Sequence, residues 1–196
     1  GVDAVVDVQG GTLNISNDAY LSGEFGVLLR NLPNTNDTTQ NPTSATLTMT
    51  GGTIEATTGF ALAGNNTQSA QCNATITGGT LRQTGGETCI YWPMEGTLTI
   101  GGDAVVEGAT GIEAKMGTIN IQDDATIRGT GEYLEQKPFD GGSEAEGSAL
   151  LVSAEMYGAN EGQYITSPDI KVNITGGMLE SQHGNAVTTY ITEDTS

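Results

Sequence analysis

The chain has 196 residues and carries 24 acidic against 6 basic side chains, a formal net charge of -18 at pH 7. A surface this acidic repels phosphate backbones and anionic lipids, so the composition excludes nucleic acid and membrane surfaces as expected partners. The acidic surface also disfavours acidic polysaccharides as substrates. Glycine supplies 29 residues and charged residues only 15%, which is typical of short strands and tight turns. No stretch approaches the roughly 20 apolar residues of a membrane span.

A short phrase recurs six times in the same form: an apolar residue, then Thr or Asn, then another apolar residue, followed by a small polar turn. The six copies are Leu13-Asn14-Ile15, Leu47-Thr48-Met49, Ala74-Thr75-Ile76, Leu98-Thr99-Ile100, Ile119-Asn120-Ile121 and Val172-Asn173-Ile174. Repetition in a constant phase predicts stacked copies of one structural unit.

Each copy contains signals for three short strands separated by glycine-marked corners. The shortest distance between copies, from Leu98 to Ile119, is 21 residues, which approximates three short strands and three turns. A β-sandwich would instead show hairpins without a long-range phase. We therefore predict an all-β fold, a right-handed parallel β-helix formed as a single-stranded solenoid of about six coils. One inward column is predicted to contain Ile15, Met49, Ile76, Ile100, Ile121 and Ile174.

Three insertions interrupt the repeats, at about residues 30–44, 132–147 and 155–169. Residues 1–196 are expected to form one domain, and because the repeat pattern extends to both ends, we expect it to be a slice of a longer repeat protein. Binding residues on a rigid scaffold concentrate in such loops.

The chain holds two cysteines, Cys72 and Cys89, and one histidine, His183. This set is too small for a zinc site, so no metal or other cofactor is predicted. The cysteines fit two structural interpretations, two small buried residues or a disulfide of a secreted protein.

One part of the repeat pattern resembles a known family. The residues are Cys89-Ile90-Tyr91-Trp92-Pro93, Gly96-Thr97-Leu98-Thr99-Ile100, Thr110-Gly111-Ile112-Glu113 and Gly117-Thr118-Ile119-Asn120-Ile121. This pattern is similar to the repeats of large, wall-anchored surface proteins of gut Gram-positive bacteria. With Val172 to Gly177, the resemblance covers roughly residues 45–190. It implies a secreted module at the bacterial cell surface, anchored through regions outside this fragment, and an adhesin or a binder of host immunoglobulin.

Enzymes of the predicted fold provide the main catalytic alternative. A lyase needs a basic proton abstractor, but the six basic residues are scattered along the chain. A glycosidase needs two carboxylates about 5–10 Å apart, and in a chain with 24 acids such pairs arise by chance. No Ser/His or Cys/His dyad is credible with one histidine. We predict no enzymatic activity and no catalytic residues. Rows of Thr and Asn on the first strand also fit an ice-binding surface, although exposed parallel strands commonly carry such rows.

Aromatic and long apolar residues recur at one corner of the predicted coils. The predicted binding residues are Trp92, Lys115, Met116, Tyr157, Tyr164 and Tyr190. Exposed aromatic residues in a row are typical of protein-binding hot spots and of sugar-stacking platforms. The alternative is that the inserted loops pack over Trp92 and bury it.

These observations favour a bacterial cell-surface recognition module that binds a host macromolecule. A protein, such as immunoglobulin or a mucosal glycoprotein, is favoured over a glycan because no sugar-sized pocket is indicated. The alternatives are a structural spacer in a surface stalk and a polysaccharide-active enzyme, either a glycosidase or a lyase.

Overall fold

The computed structural model describes residues 4–30, 44–64, 72–133, 145–153, 155–157, 164–166 and 170–190. The side chains of residues 155–157, 164–166 and 190 lie outside this description. The described part of the chain contains β-strands and no helix, so the expectation of an all-β chain is confirmed.

Seven strands form one parallel sheet. In spatial order they are β1 (Ala4–Val8), β4 (Phe25–Leu29), β6 (Leu62–Gly64), β8 (Ile90–Trp92), β11 (Ile112–Ala114), β14 (Leu150–Ser153) and β19 (Val187–Tyr190). Each strand pairs with the corresponding strand of the adjacent repeats, with β1 and β19 at the two ends, so spatial order follows chain order.

Ten strands form the larger sheet, which is also parallel. They are β2 (Gly11–Ile15), β3 (Tyr20–Gly23), β5 (Ala45–Ala56), β7 (Asn73–Gln83), β9 (Thr97–Ile100), β10 (Val105–Gly108), β12 (Gly117–Ile121), β13 (Thr126–Gly129), β17 (Ile170–Ile174) and β18 (Met178–Ser181). The remaining strands, β15 (Glu155–Tyr157) and β16 (Tyr164–Thr166), form an antiparallel pair.

The predicted inward column is confirmed by the strand register. Ile15 pairs with Met49, Met49 with Ile76, Ile76 with Ile100, and Ile121 joins Ile100 to Ile174. The first five of these side chains are buried, whereas Ile174 is 47% exposed. Together with valines, leucines and alanines of both sheets, the five buried side chains form one continuous apolar core, because successive side chains of a strand point to opposite sides.

The prediction of a right-handed, single-stranded β-helix is wrong. Three separate faces were expected around each coil, but the described strands other than β15 and β16 form two parallel sheets with a half-barrel curl. The cause lies at the glycine pairs that were predicted to end the first strand. Both β5 and β7 continue through such a pair, with only a shift in their register after Met49. The strand bends there without ending, and one sheet takes the place of two predicted faces.

Two of these glycines show why the bend needs glycine. Gly52 and Gly79 both have a φ of 88°, a region that side chains with a Cβ rarely adopt. A Cβ added to Gly79 would lie 2.5 Å from the carbonyl oxygen of Gly52 in the neighbouring strand. Close approach and backbone conformation therefore both select glycine.

The predicted insertions fall mostly outside the described residues. Residues 31–43 and 134–144 belong to the first two insertions and are not described. Within the third, the structure describes only the backbone of β15 and β16, which pair antiparallel.

Candidate functional site

Trp92 does not form the exposed edge that the sequence predicts. It is the last residue of β8, its side chain has no exposed surface, and it belongs to the continuous apolar core. The alternation within β8 explains this placement, because Ile90 and Trp92 point inward while Tyr91 is half-buried on the opposite side.

Lys115 and Met116 are also buried, directly after β11. The Lys115 ammonium lies 3.3 Å from the Glu113 carboxylate, and neither side chain has exposed surface. Lys115 Nζ also donates to Ser153 Oγ at 3.5 Å. Removing one partner would leave an unpaired buried charge, which is costly, and the pair offers no accessible charge to a ligand.

The three predicted tyrosines are described by backbone only. Tyr157 faces Tyr164 in the antiparallel pair, and Tyr190 is in register with Ser153 at the end of β19. Their side chains lie outside the described part of the chain, so their role in binding stays a prediction. The backbone does bring Lys115 beside Trp92, since the Lys115 amide donates to the Trp92 carbonyl at 3.0 Å.

A different group of aromatic residues is in contact: Phe25, Phe60 and Tyr91, which we call the aromatic cluster. Phe25 and Phe60 meet edge to face with ring centroids 6.0 Å apart. Phe60 and Tyr91 are stacked, with centroids 5.0 Å apart and ring planes inclined by 22°. All three residues are half-buried. The cluster therefore combines mutual packing with a solvent-accessible apolar surface.

The cluster is built where strands of the seven-stranded sheet begin. Phe25 opens β4, Phe60 precedes β6 by two residues, and Tyr91 is the central residue of β8. Because these three strands are neighbours in the sheet, rings from three different repeats meet. A Cβ on Gly59 would lie within 2.1–2.4 Å of three atoms of the Phe25 ring, so glycine at this position allows the ring to lie against the backbone.

A sequence signal for the cluster existed but was weaker than that for Trp92. Phe25 and Phe60 both adjoin a glycine at or just before the start of a strand of the seven-stranded sheet, as Phe25-Gly26 and Gly59-Phe60. Tyr91 lies one residue before Trp92, on the opposite side of the strand. A shift of one residue in the strand register would exchange which of the two adjacent rings faces outward.

Charged side chains form a ladder across the ten-stranded sheet. In register order its members are Glu55, Arg82, Glu107, Arg128 and Glu180. Arg82 forms an ion pair with Glu55, and this hydrogen bond raises the pKa of Arg82. Arg128 contacts Glu180 at 2.9 Å and Glu107 at 3.7 Å. Alternating charges on neighbouring strands stabilise the pairing by a modest amount.

The ladder borders a cleft of about 500 Å³ near the end of this sheet. Its lining includes Arg128, Leu179, Glu180 and Gln182. Since the Arg128 guanidinium is already paired with two carboxylates, it is occupied as part of the ladder. The pattern Glu-Arg-Glu continues away from the cleft, so it is better explained by strand pairing than by a binding site.

Cys72 and Cys89 are both free and buried, so the interpretation as two small core residues is confirmed and the disulfide is not formed. Burial raises the pKa of both thiols, which keeps them protonated and unreactive. Within the described residues, no group of three or more His, Cys, Asp or Glu side chains is arranged to hold a metal ion. The same part of the chain contains no helix with the length and apolar character needed to cross a membrane.

Comparisons of the chain with protein-family models, with curated proteins and with solved structures found no match.

Proposed function

We propose that this chain is a non-catalytic recognition module of a bacterial cell surface, and that it binds a host protein through the aromatic cluster. The observation that carries the proposal is the contact among Phe25, Phe60 and Tyr91, three half-buried rings that neighbouring strands of one sheet bring together. Aromatic side chains supply the largest energies at protein interfaces, especially where the surrounding structure holds them in place. The surface location and the host origin of the partner rest on the resemblance in the repeat.

A protein partner fits the geometry of the rings better than a glycan. The faces of Phe60 and Tyr91 are turned toward each other, so a sugar ring cannot lie flat between them. The partly exposed rings can instead pack against apolar side chains of a protein. With a chain charge of -18, a partner with basic residues around an apolar centre gains electrostatic complementarity. Immunoglobulin and mucosal glycoproteins are the first candidates.

Binding of purified polyclonal immunoglobulin G and of purified intestinal mucin to the immobilised chain tests this proposal. Phe60→Ala and Tyr91→Ala should each weaken the binding by about thirtyfold, the loss for a central aromatic residue. Tyr20→Ala is the matched control because Tyr20 is a 62% exposed aromatic residue on the other sheet. Its affinity should equal that of the wild-type chain.

Melting temperatures separate a binding defect from unfolding and should stay close to the wild-type value. If the two cluster variants bind as well as Tyr20→Ala does, the cluster is not the site. If neither probe binds the wild-type chain, the host-protein proposal is contradicted, and the alternative of a structural spacer gains support.

A further inference from the structure

The aromatic cluster adjoins three corners, the short segments that join the ten-stranded sheet to the seven-stranded sheet. They are Glu24 between β3 and β4, residues 57–61 between β5 and β6, and residues 84–89 between β7 and β8. Phe60 lies in the middle corner. The strands on both sides of these corners are neighbours in their sheets, so the first and third corners flank the segment that carries Phe60.

Each of the two flanking corners carries an exposed glutamate. Glu24 directly precedes Phe25, and its carbonyl oxygen accepts a hydrogen bond from the Gly59 amide at 2.8 Å. Glu87 lies in the third corner, where its amide donates to Gln83 Oε1 at 2.8 Å. Both glutamates are exposed. Since neighbouring strands of a sheet are separated by about 4.8 Å, the backbones of these two corners lie about 10 Å apart with the middle corner between them.

Among the described residues, no basic side chain forms an ion pair with Glu24 or Glu87. The ion pairs of the basic side chains go to other acids: Arg30 pairs with Asp7, Arg82 with Glu55, Lys115 with Glu113, and Arg128 with Glu107 and Glu180. The middle corner, residues 57–61, contains no charged residue. The negative charge beside the rings is therefore available to a cation of a partner.

Arginine is the side chain that best suits half-buried rings bordered by two carboxylates. Its guanidinium is planar and weakly hydrated, so a flat face can pack against an aromatic ring. The N–H groups at its edge can form two parallel hydrogen bonds with a carboxylate. A lysine ammonium carries the same charge but has neither the flat face nor the fixed pair of donors.

We propose that the aromatic cluster receives an arginine side chain of the partner, with the guanidinium held between Glu24 and Glu87. This inference rests on the proposed function, since it takes the same cluster as the binding surface, and it adds the class of residue that the partner must present. The rings supply apolar contact and the two carboxylates select a cation. The partner surface that fits is an exposed arginine beside apolar side chains.

The exposed position of the two glutamates predicts how binding responds to salt. Attraction between a guanidinium and exposed carboxylates is screened, and the Debye length falls from about 14 Å at 0.05 M salt to about 4 Å at 0.5 M. The net charge of -18 adds to the attraction at low salt. Binding of an arginine should therefore weaken over this range of salt, whereas a purely apolar contact with the rings should not.

NMR titration of the 196-residue chain with two short peptides tests the inference without a host protein. One probe is a tripeptide of leucine, arginine and leucine with blocked ends, and the other replaces arginine by citrulline, its uncharged isostere. The arginine peptide should shift the ring proton signals of Phe60 and Tyr91. It should bind at least about fivefold more tightly than the citrulline peptide, because only arginine gains the ion pairs and the cation–π contact.

Substitution of both carboxylates assigns the preference to the two corners. In the double variant Glu24→Gln with Glu87→Gln, the arginine peptide should bind no more tightly than the citrulline peptide. Glu95→Gln is the matched control, since Glu95 is an exposed glutamate outside the three corners, and it should keep the wild-type preference. Both glutamines are close in size to the residues that they replace, and circular dichroism checks that the variants fold.

The inference is overturned if the two peptides bind equally, if the double variant keeps the preference for arginine, or if the ring signals do not shift at peptide concentrations up to about 20 mM, where contacts this weak are populated. Immunoglobulin or mucin binding that depends on Phe60, combined with equal binding of the two peptides, would leave the proposed function in place and remove the arginine. An arginine peptide that binds at the cluster while neither host protein binds would support the arginine site and contradict the host-protein proposal.

Discussion

Ile100 is the clearest single residue for testing the strand register. Its side chain is fully buried between Ile76 and Ile121, whereas Thr99 points to the other side of the same strand. Ile100→Ala should lower the free energy of unfolding by about 2–5 kcal/mol, because it removes apolar contacts and leaves a cavity. Urea denaturation measures the loss.

Thr99→Ala is the matched substitution on the neighbouring residue. It removes the hydroxyl that accepts a hydrogen bond from Asn120 Nδ2, which is worth about 1 kcal/mol or less at a partly exposed site. Equal losses for the two variants would show that the assigned register is wrong.

The buried thiols make the stability of the chain dependent on alkaline pH. Burial raises the pKa of Cys89, and that of Cys72, above the ordinary thiol value. In the unfolded chain, the thiols ionise at about pH 8.5. Above that pH the unfolded state holds fewer protons than the folded state, so the free energy of unfolding falls as pH rises.

Each thiol contributes up to about 1.4 kcal/mol per pH unit to this slope. The free energy of unfolding, measured by urea denaturation between about pH 7.5 and about pH 9.5, should fall less steeply with pH for Cys89→Ala than for the wild-type chain. Below about pH 8 the slopes of the two proteins should agree, since the thiols are then protonated in both states. An unchanged slope at high pH would mean that Cys89 ionises in the folded protein.

Residue identity predicted core positions better than it predicted the binding surface. The Ile column follows from alternation, which the sequence displays directly. Trp92 was assigned to the surface because its neighbours at the corner were aromatic or charged, but its alternation with Ile90 places it inward. The burial of Lys115 against Glu113 could not be predicted, because charged residues are rarely buried and their pairing depends on the three-dimensional contact.

At the scale of single strands, the glycine corners can be tested by substituting two glycines that have similar φ values. Gly79 and Gly86 have φ values of 88° and 93°. A Cβ on Gly79 would lie 2.5 Å from the Gly52 carbonyl oxygen, whereas a Cβ on Gly86 would meet no atom within 4 Å. Gly86→Ala should cost about 1–2 kcal/mol from the left-handed backbone alone. Gly79→Ala adds a backbone clash and should lose clearly more in a urea titration.

Comparable losses for the two alanine variants would mean that backbone conformation, and not the distance between neighbouring repeats, selects glycine at the bend.

The elements also show where sequence reasoning reached its limit. Parallel in-register pairing could be predicted because the phrase recurs in phase and insertions fall between strands. The number of sheets could not be predicted, because a glycine pair can either end a strand or bend it. In β5 and β7 it bends the strand. Whether the strand ends or bends depends on whether pairing with neighbouring strands resumes after the glycine pair. The sequence of a single repeat does not show this.

At the scale of the whole molecule, the repeats share one core but differ in how many adjacent repeats their strands pair with. Within the described part of the chain, the central strands are paired on both sides, while β1, β2, β3, β17, β18 and β19 are paired on one. In arrays of this kind each repeat is stabilised by its own contacts and by its interfaces with adjacent repeats. The aromatic cluster lies on or next to β4, β6 and β8, near the beginning of the array.

Hydrogen exchange should therefore follow position in the array. Amides of β7, β9 and β12 should exchange most slowly, at free energies near that of global unfolding, because each is paired on both sides and covers the fully buried core. Amides of β17, β18 and β19 should exchange faster, since these strands can separate without disrupting a second interface. Mass spectrometry of exchanged peptides measures the gradient. Uniform protection along the array at low concentration would contradict this account and would indicate a single cooperative unit.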